Sequence, residues 1–264
     1  MIRHAEGHAS ASRSENAAPT RVPVKGEAVK AVIQAGGKGT RLKPYTLILP
    51  KPMMPVGEYP VIELLLRWVR RNGVDEVMVT TGYLGHLLRM LCGDGSRWDM
   101  QIAYTEEKEP LGTLGALQLV RDWIDQPFLV LNGDLITDLD LRAFMRFHRE
   151  HAEALTIAVK ETPVPVNMGV FEFGQDGMVT DFREKPTLTY SANMGVYCMD
   201  PSILELIPRG VPFGFDDLMY RMLDEGRDAR VFQHHGEFMD IGRPEDFAQA
   251  QELAERGELP MWGH

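Results

Sequence analysis

Short apolar runs and amphipathic stretches alternate along most of this 264-residue chain. The first run, 29–35, is rich in apolar β-branched residues and predicts a buried strand. Further strands are predicted at 74–81, 101–104 and 127–131, with helices at 62–72, 84–92, 113–123 and 139–151. Strand–helix alternation of this kind implies a largely parallel sheet with helices on both faces. The second half changes character. Residues 154–160, 168–173, 178–182 and 192–199 read as strands with short connections, and Gln175-Asp176-Gly177 reads as a hairpin turn between two of them. Helices return at 201–206, 215–224 and 244–256, the last with Pro244 in its first turn and Glu245 and Asp246 near its positive dipole end. Residues 1–27, rich in Ala, Ser, Glu, Arg and Pro, show no period and read as a flexible N-terminal extension. That leaves 28–264 as the folded part, a length that suits one large α/β domain.

Composition narrows the function classes. The chain has 28 basic and 38 acidic residues and a formal net charge of −10, which argues against general nucleic-acid binding. A nucleotide remains compatible, because a small site can be locally basic on an acidic protein. The two cysteines, Cys92 and Cys198, form no C-x-x-C pair, so reduced thiols in a cytoplasmic protein are expected. No apolar run approaches the roughly 18 residues of a membrane span, and no hydrophobic leader is evident at the start.

The candidate chemistry begins where the first strand stops. Gly36-Gly37-Lys38-Gly39-Thr40-Arg41-Leu42 follows it, and Pro50-Lys51-Pro52 comes soon after. Glycines let the backbone turn sharply with N–H groups outward, and two nearby cations complete a cradle for a polyphosphate. The pattern is not a Walker A loop, since no Gly-Lys-Ser/Thr closes it. Nor is it the dinucleotide fingerprint, because after Gly37-Lys38-Gly39 position 42 is Leu. Leu131-Asn132-Gly133-Asp134 puts a carboxylate just past another apolar strand, well placed to hold Mg²⁺ in the same crevice. In Met239-Asp240-Ile241-Gly242, Asp240 ends a short strand before a helix and would supply a second carboxylate. Downstream, Asp246 reads as a solvated helix position.

Residues 34–52 closely resemble the signature of the sugar-1-phosphate nucleotidylyltransferases, and the likeness extends over roughly 29–256 through several motifs in the expected order. The resemblance implies an α/β, Rossmann-like three-layer fold with a mixed, mostly parallel central sheet. It implies that Gln34, Ala35, Gly36, Gly37, Gly39 and Thr40 wrap the nucleotide, and that Arg41 and Lys51 neutralise its phosphates. Gln34 stands where these proteins often have Leu. Asp134 and Asp240 would be the Mg²⁺ ligands, with Asn132 and Gly133 beside the nucleotide. In Phe182-Arg183-Glu184-Lys185-Pro186, Glu184 would bind sugar hydroxyls and Lys185 the sugar phosphate. Gly169 and Asn193, at strand edges in Asn167-Met168-Gly169-Val170 and Ala192-Asn193-Met194-Gly195, would line the sugar side. Gly112 and Thr113, in Leu111-Gly112-Thr113-Leu114-Gly115-Ala116, are expected near the base and ribose, together with Gly82.

The implied reaction joins an NTP and a sugar 1-phosphate to give an NDP-sugar and pyrophosphate. The segments around Leu111 and Lys51 look most like mannose-1-phosphate guanylyltransferases and heptose-type relatives, favouring GTP. Thymidylyl or uridylyl transfer to glucose 1-phosphate is the alternative, and a non-catalytic nucleotide-sugar-binding paralogue is a second. Expected partners are these small molecules alone, with a homodimer left open. His148 and His151, three apart on a predicted helix, lack further ligands nearby and are expected to face solvent. His234-His235 is expected to alternate faces of an edge strand, and Met53-Met54 to serve packing.

Overall fold

The computed structural model describes residues 29–260 apart from Ala152, so the expected extension 1–27 lies outside the described residues. In chain order the strands and helices are β1 (Val29–Ala35), β2 (Pro55–Val56), β3 (Tyr59–Pro60), α1 (Val61–Arg71), β4 (Val74–Thr81) and α2 (Gly85–Cys92). There follow β5 (Gln101–Glu106), α3 (Gly112–Gly115), β6 (Phe128–Asn132), β7 (Leu135–Thr137) and α4 (Leu141–His151). The second half holds β8 (Leu155–Pro165), β9 (Val170–Phe173), β10 (Val179–Arg183), β11 (Thr187–Met199), α5 (Phe215–Asp224), β12 (Ala229–His234), β13 (Phe238–Asp240) and α6 (Pro244–Arg256).

Seven strands form the central sheet in the order β12-β8-β11-β6-β1-β4-β5. Only β11 runs antiparallel to its two neighbours, while the pairs β12–β8, β6–β1, β1–β4 and β4–β5 are parallel. This is the mixed, mostly parallel sheet expected. Alternation along β1 splits its side chains between two cores. Ala31, Ile33 and Ala35 pack under α1, α4 and α6, and Val32 packs under Leu114, Leu117, Leu218 and Met222 on the other face. The three-layer arrangement follows from that period of two. Met54 is buried and Met53 packs on the first core, as expected.

Four features depart from the sequence reading. The 113–123 helix is only one α turn, α3, followed by a 3₁₀ run over Ala116–Trp123. Gly112 and Gly115 weaken an α-helix here, and the first N–H groups bond outward: Leu114 and Gly115 both donate to Phe213 O, at 2.9 and 3.0 Å. The 201–206 helix is likewise a 3₁₀ turn, Pro201–Glu205. β8 and β11 run far past the sheet as a paired arm, Thr187 opposite Pro165, beside the separate β9–β10 hairpin. Finally, His148 is buried at 3% exposure, its Nδ1 2.8 Å from Thr156 Oγ1. It continues the Leu141, Phe144, Met145 stripe of α4, and burial holds its pKa below the usual imidazole range.

Both cysteines are free and buried, and burial pushes each thiol up to about 12. Neither is a reactive thiolate at neutral pH. Among the described residues, no helix is long and apolar enough to cross a membrane.

Candidate active site

Parallel strands β1, β4 and β6 end together, and the loops leaving them enclose a cleft of about 450 Å³. One wall is the glycine-rich loop. Gly39 takes a left-handed backbone (φ +58°) at the start of the turn Thr40–Leu42, and a β-carbon there would lie 2.9 Å from Thr46 Cγ2. Thr46 Oγ1 donates to Gly39 O at 2.8 Å, and Leu42 is buried beneath, so packing holds the loop open. Gln34, Ala35, Gly36, Gly37, Gly39, Thr40 and Arg41 all line the cleft.

The opposite wall comes from the end of β6. Gly133 N donates to Gln34 O at 2.9 Å, and a β-carbon on Gly133 would stand 2.6 Å from that oxygen. Only glycine allows this approach, which turns the chain so that Asp134 faces the cleft. Asp240 arrives from β13, which pairs with β7 in the register Asp240–Leu135, Met239–Ile136, Phe238–Thr137. A three-residue ladder specifies register weakly, and a slip of one residue would turn Asp240 away. Bonds at both ends prevent this. Ile241 N donates to Asp134 O at 2.9 Å. At the far end Thr137 Oγ1 donates to Glu237 O at 2.7 Å, and Glu237 N donates to Asp138 Oδ1 at 2.8 Å. His234, at the end of edge strand β12, puts Nε2 2.8 Å from the same Asp138 oxygen.

Lys51 enters from a 3₁₀ turn pinned by buried Pro52. Its ammonium bonds Asp134 and lies 3.4 Å from Asp240 Oδ1. Burial pushes the Asp134 carboxyl above the usual carboxylate range, against the pull of Lys51. The pair therefore makes a point where positive charge is strongly favoured. The donor set is oxygen only, and among the described residues no group of three or more His, Cys, Asp and Glu could hold a metal. Two carboxylates suit Mg²⁺, which keeps waters and phosphate oxygens in its other positions. The residues present thus fit the ion that the sequence resemblance implies.

Gly112 and Thr113 line the cleft, together with Thr80, Glu107, Pro110 and Ala116, to which the sequence reading assigned no role. Glu107 Oε2 accepts the Leu111 N–H at 3.0 Å, and burial raises its pKa against that bond. Asn132 also lines the cleft, and Gly195 (φ +70°) packs against its side chain. Gly82 is outside the cleft lining and supports it from behind: a β-carbon there would lie 2.8 Å from Gly36 O. Asp246 is only half-exposed, and its carboxyl is raised by burial and then by neighbouring Asp240. It therefore faces the site edge rather than bulk solvent, because the Pro244 turn starts α6 directly behind Asp240.

The sugar-side candidates lie on and beside the arm: Asn193 on β11, Gly169 just before β9, and Glu184 and Lys185 between β10 and β11. A β-carbon on Gly169 would meet the Phe182 ring and lie 3.1 Å from Glu184 Oε2. Lys185 has a left-handed backbone (φ +45°) just before Pro186, an unfavourable conformation that sets its direction. Asn193 Nδ2 donates to Tyr197 OH at 2.8 Å, and Asn193 Oδ1 accepts the Gly195 N–H at 2.9 Å. Gly169, Glu184, Lys185 and Asn193 are not among the residues lining the cleft that holds Lys51.

Known proteins resemble this chain over most of its length. A uridylyltransferase from Synechocystis, UTP–glucose-1-phosphate uridylyltransferase, is 34% identical over 241 residues, covering 84% of this chain and 62% of its own. The mannose-1-phosphate guanylyltransferase catalytic subunit beta of Danio rerio is 34% identical over 226 residues, covering 83% and 62%. The chain thus spans about three fifths of the length of these curated relatives. Among solved structures, HddC from Yersinia pseudotuberculosis complexed with GMP-PN superimposes with a TM-score of 0.68 at 27% identity, over 85% of this chain and 98% of that one. The profile of the Nucleotidyl transferase family matches residues 30–257, so the chain belongs to that family.

Proposed function

We propose that the protein transfers a nucleotidyl group from an NTP to a sugar 1-phosphate, releasing pyrophosphate, with GTP and a mannose- or heptose-type 1-phosphate as the favoured pair. The observation that carries this reading is the meeting of Asp134, Asp240 and Lys51 in one cleft with the glycine-rich loop. The guanylyltransferase relative and the GMP-PN complex of HddC support the guanine nucleotide. The Synechocystis relative keeps uridylyl transfer as the second reading.

The attacking group is a phosphate monoester oxygen, largely anionic at neutral pH because its second pKa is about 6. No protein nucleophile is needed. The oxygen attacks the α-phosphorus in line, a new P–O bond forms, the α–β bridge breaks, and pyrophosphate leaves. The protein's work is positioning and charge neutralisation. The backbone of Gly36–Gly39 would cradle the triphosphate, with Arg41 at its rim. Lys51 would shift from its carboxylates to a phosphate oxygen, and Asp134 and Asp240 would hold the ion. When bound, Mg²⁺ supplies charge neutralisation on the triphosphate and the departing pyrophosphate. Lys185 would hold the sugar phosphate against the repulsion between two anions, with Glu184 on the sugar hydroxyls. The two buried, unpaired cysteines support a reducing compartment, the cytoplasm.

The test is a matrix of NTPs against hexose and heptose 1-phosphates with pyrophosphate as readout. Release with GTP and a mannose-type phosphate supports the reading, and silence with every pair removes it. Within that assay, Lys185→Ala is expected to raise KM for the sugar phosphate about tenfold or more while KM for the NTP moves little. The reverse pattern would move Lys185 to the triphosphate side.

A further inference from the structure

Three polar side chains stand in a row at the carboxyl ends of the central strands. Gln34 on β1 is the register partner of Asn132 on β6 and of Thr80 on β4. All three line the cleft, and Gln34 reaches Thr113. The row is incomplete in hydrogen bonds. Gln34 commits its amide nitrogen to Thr113 O, which leaves its carbonyl oxygen Oε1 buried without a partner. The neighbouring Thr80 hydroxyl is buried and unpartnered as well. Buried polar atoms are normally satisfied, so an orphaned acceptor on the wall of a binding cleft marks a place where a ligand donor belongs.

The chemistry of that donor follows from the wall around it. Gln34 presents only an acceptor, and Glu107, which lines the same cleft, presents a carboxyl whose protein partner is the Leu111 N–H. Uracil and thymine have a single N–H on that edge, flanked by two carbonyls, so they can satisfy only one of the two acceptors, Gln34 Oε1 and Glu107. Adenine and cytosine place an amino group beside a ring-nitrogen acceptor. Guanine alone offers two adjacent donors, N1–H and the 2-amino group.

We propose that Gln34 Oε1 accepts a hydrogen bond from the guanine 2-amino group and is a specificity-determining residue for the nucleotide. This rests on the cleft being the NTP site. Glu107, which lines the same cleft, would accept from the N1–H of the same edge, and Thr80 lies beside Gln34 in register.

Inosine triphosphate differs from GTP only in lacking the 2-amino group, so it is the direct probe. The kcat/KM values for GTP, ITP and UTP are measured by pyrophosphate release, and GTP and ITP binding is measured separately by calorimetry without sugar phosphate. The wild-type protein is expected to prefer GTP over ITP by about 10- to 100-fold, because ITP leaves the buried acceptor unpaired. In Gln34→Leu the GTP:ITP ratio should fall to near one in both measurements, whatever the absolute rates. Gln34→Met serves if the leucine variant folds poorly. A wild-type protein indifferent to the 2-amino group, or a ratio unchanged in both variants, overturns the proposal. Turnover with UTP alone also overturns it while leaving nucleotidyl transfer intact. Failure of every NTP removes the reading of the cleft and the proposal with it.

Discussion

Asp134→Asn and Asp240→Asn are each expected to lower kcat by about 10³-fold, or ~4 kcal/mol of transition-state stabilisation. Asparagine keeps the size and one oxygen of the carboxylate but loses its charge. The β7–β13 ladder is held by backbone bonds and by the Thr137, Asp138 and Glu237 contacts, none of which use either carboxylate. The fold should therefore survive, with Tm within a few degrees of wild type. Asp134 is the more buried of the two, and its carboxyl already resists ionisation. Removing its charge relieves a desolvation cost, so a lost activity with a retained Tm separates function from stability. Near-normal turnover in either variant would take that residue out of the ion-binding pair.

Lys51→Met carries the second large effect. Turnover should fall about 10²- to 10³-fold, because one ammonium serves both the resting carboxylate pair and the triphosphate. A second readout is independent of turnover. In the wild type, the Lys51 ammonium lies between Asp134 and Asp240 and offsets their repulsion. With methionine there, the two carboxylates lose the cation that bridges them, and a divalent cation can take its place. Mg²⁺ without nucleotide should then stabilise the variant by about 2.7 kcal/mol at a hundred times its Kd, roughly 5–10 °C in Tm for a chain of this size. The wild type should respond far less. Equal Mg²⁺ responses in the two proteins would show that Lys51 does not share the ion's position.

The glycine-rich loop was legible because its spacing states a backbone requirement: Gly39 is left-handed, and Gly36 and Gly133 sit where other chain segments pass close. Asp134 and Asp240 could be paired only through motif resemblance, since the ladder joining them is three residues long and β7 has no period to read. Thr80 and Glu107 were missed for opposite reasons. Thr80 is one more residue in a buried strand, and its value lies in being the register partner of Gln34. Glu107 belongs to a charged run, 106–109, in which only the fold distinguishes the half-buried carboxyl from its exposed neighbours. His148 was legible and misread. It lies seven residues after Leu141, on the stripe of Phe144 and Met145, so helical period alone places it inside. The length of β8 and β11 was not legible, because the polar outer half of the arm carries no core-facing alternation.

The pairing of β13 with β7 also dictates the order in which the protein acquires its chemistry. Lys51 and Asp240 are 189 residues apart. During synthesis the phosphate cradle, Lys51 and Asp134 all emerge long before β13. Until the strand arrives, Asp134 faces Lys51 as a simple one-to-one ion pair, with no second carboxylate to attract a divalent ion. A chain ending before Phe238 would lack the second carboxylate of the pair altogether. The paired carboxylates therefore come together only after β13 has been made and has docked on β7.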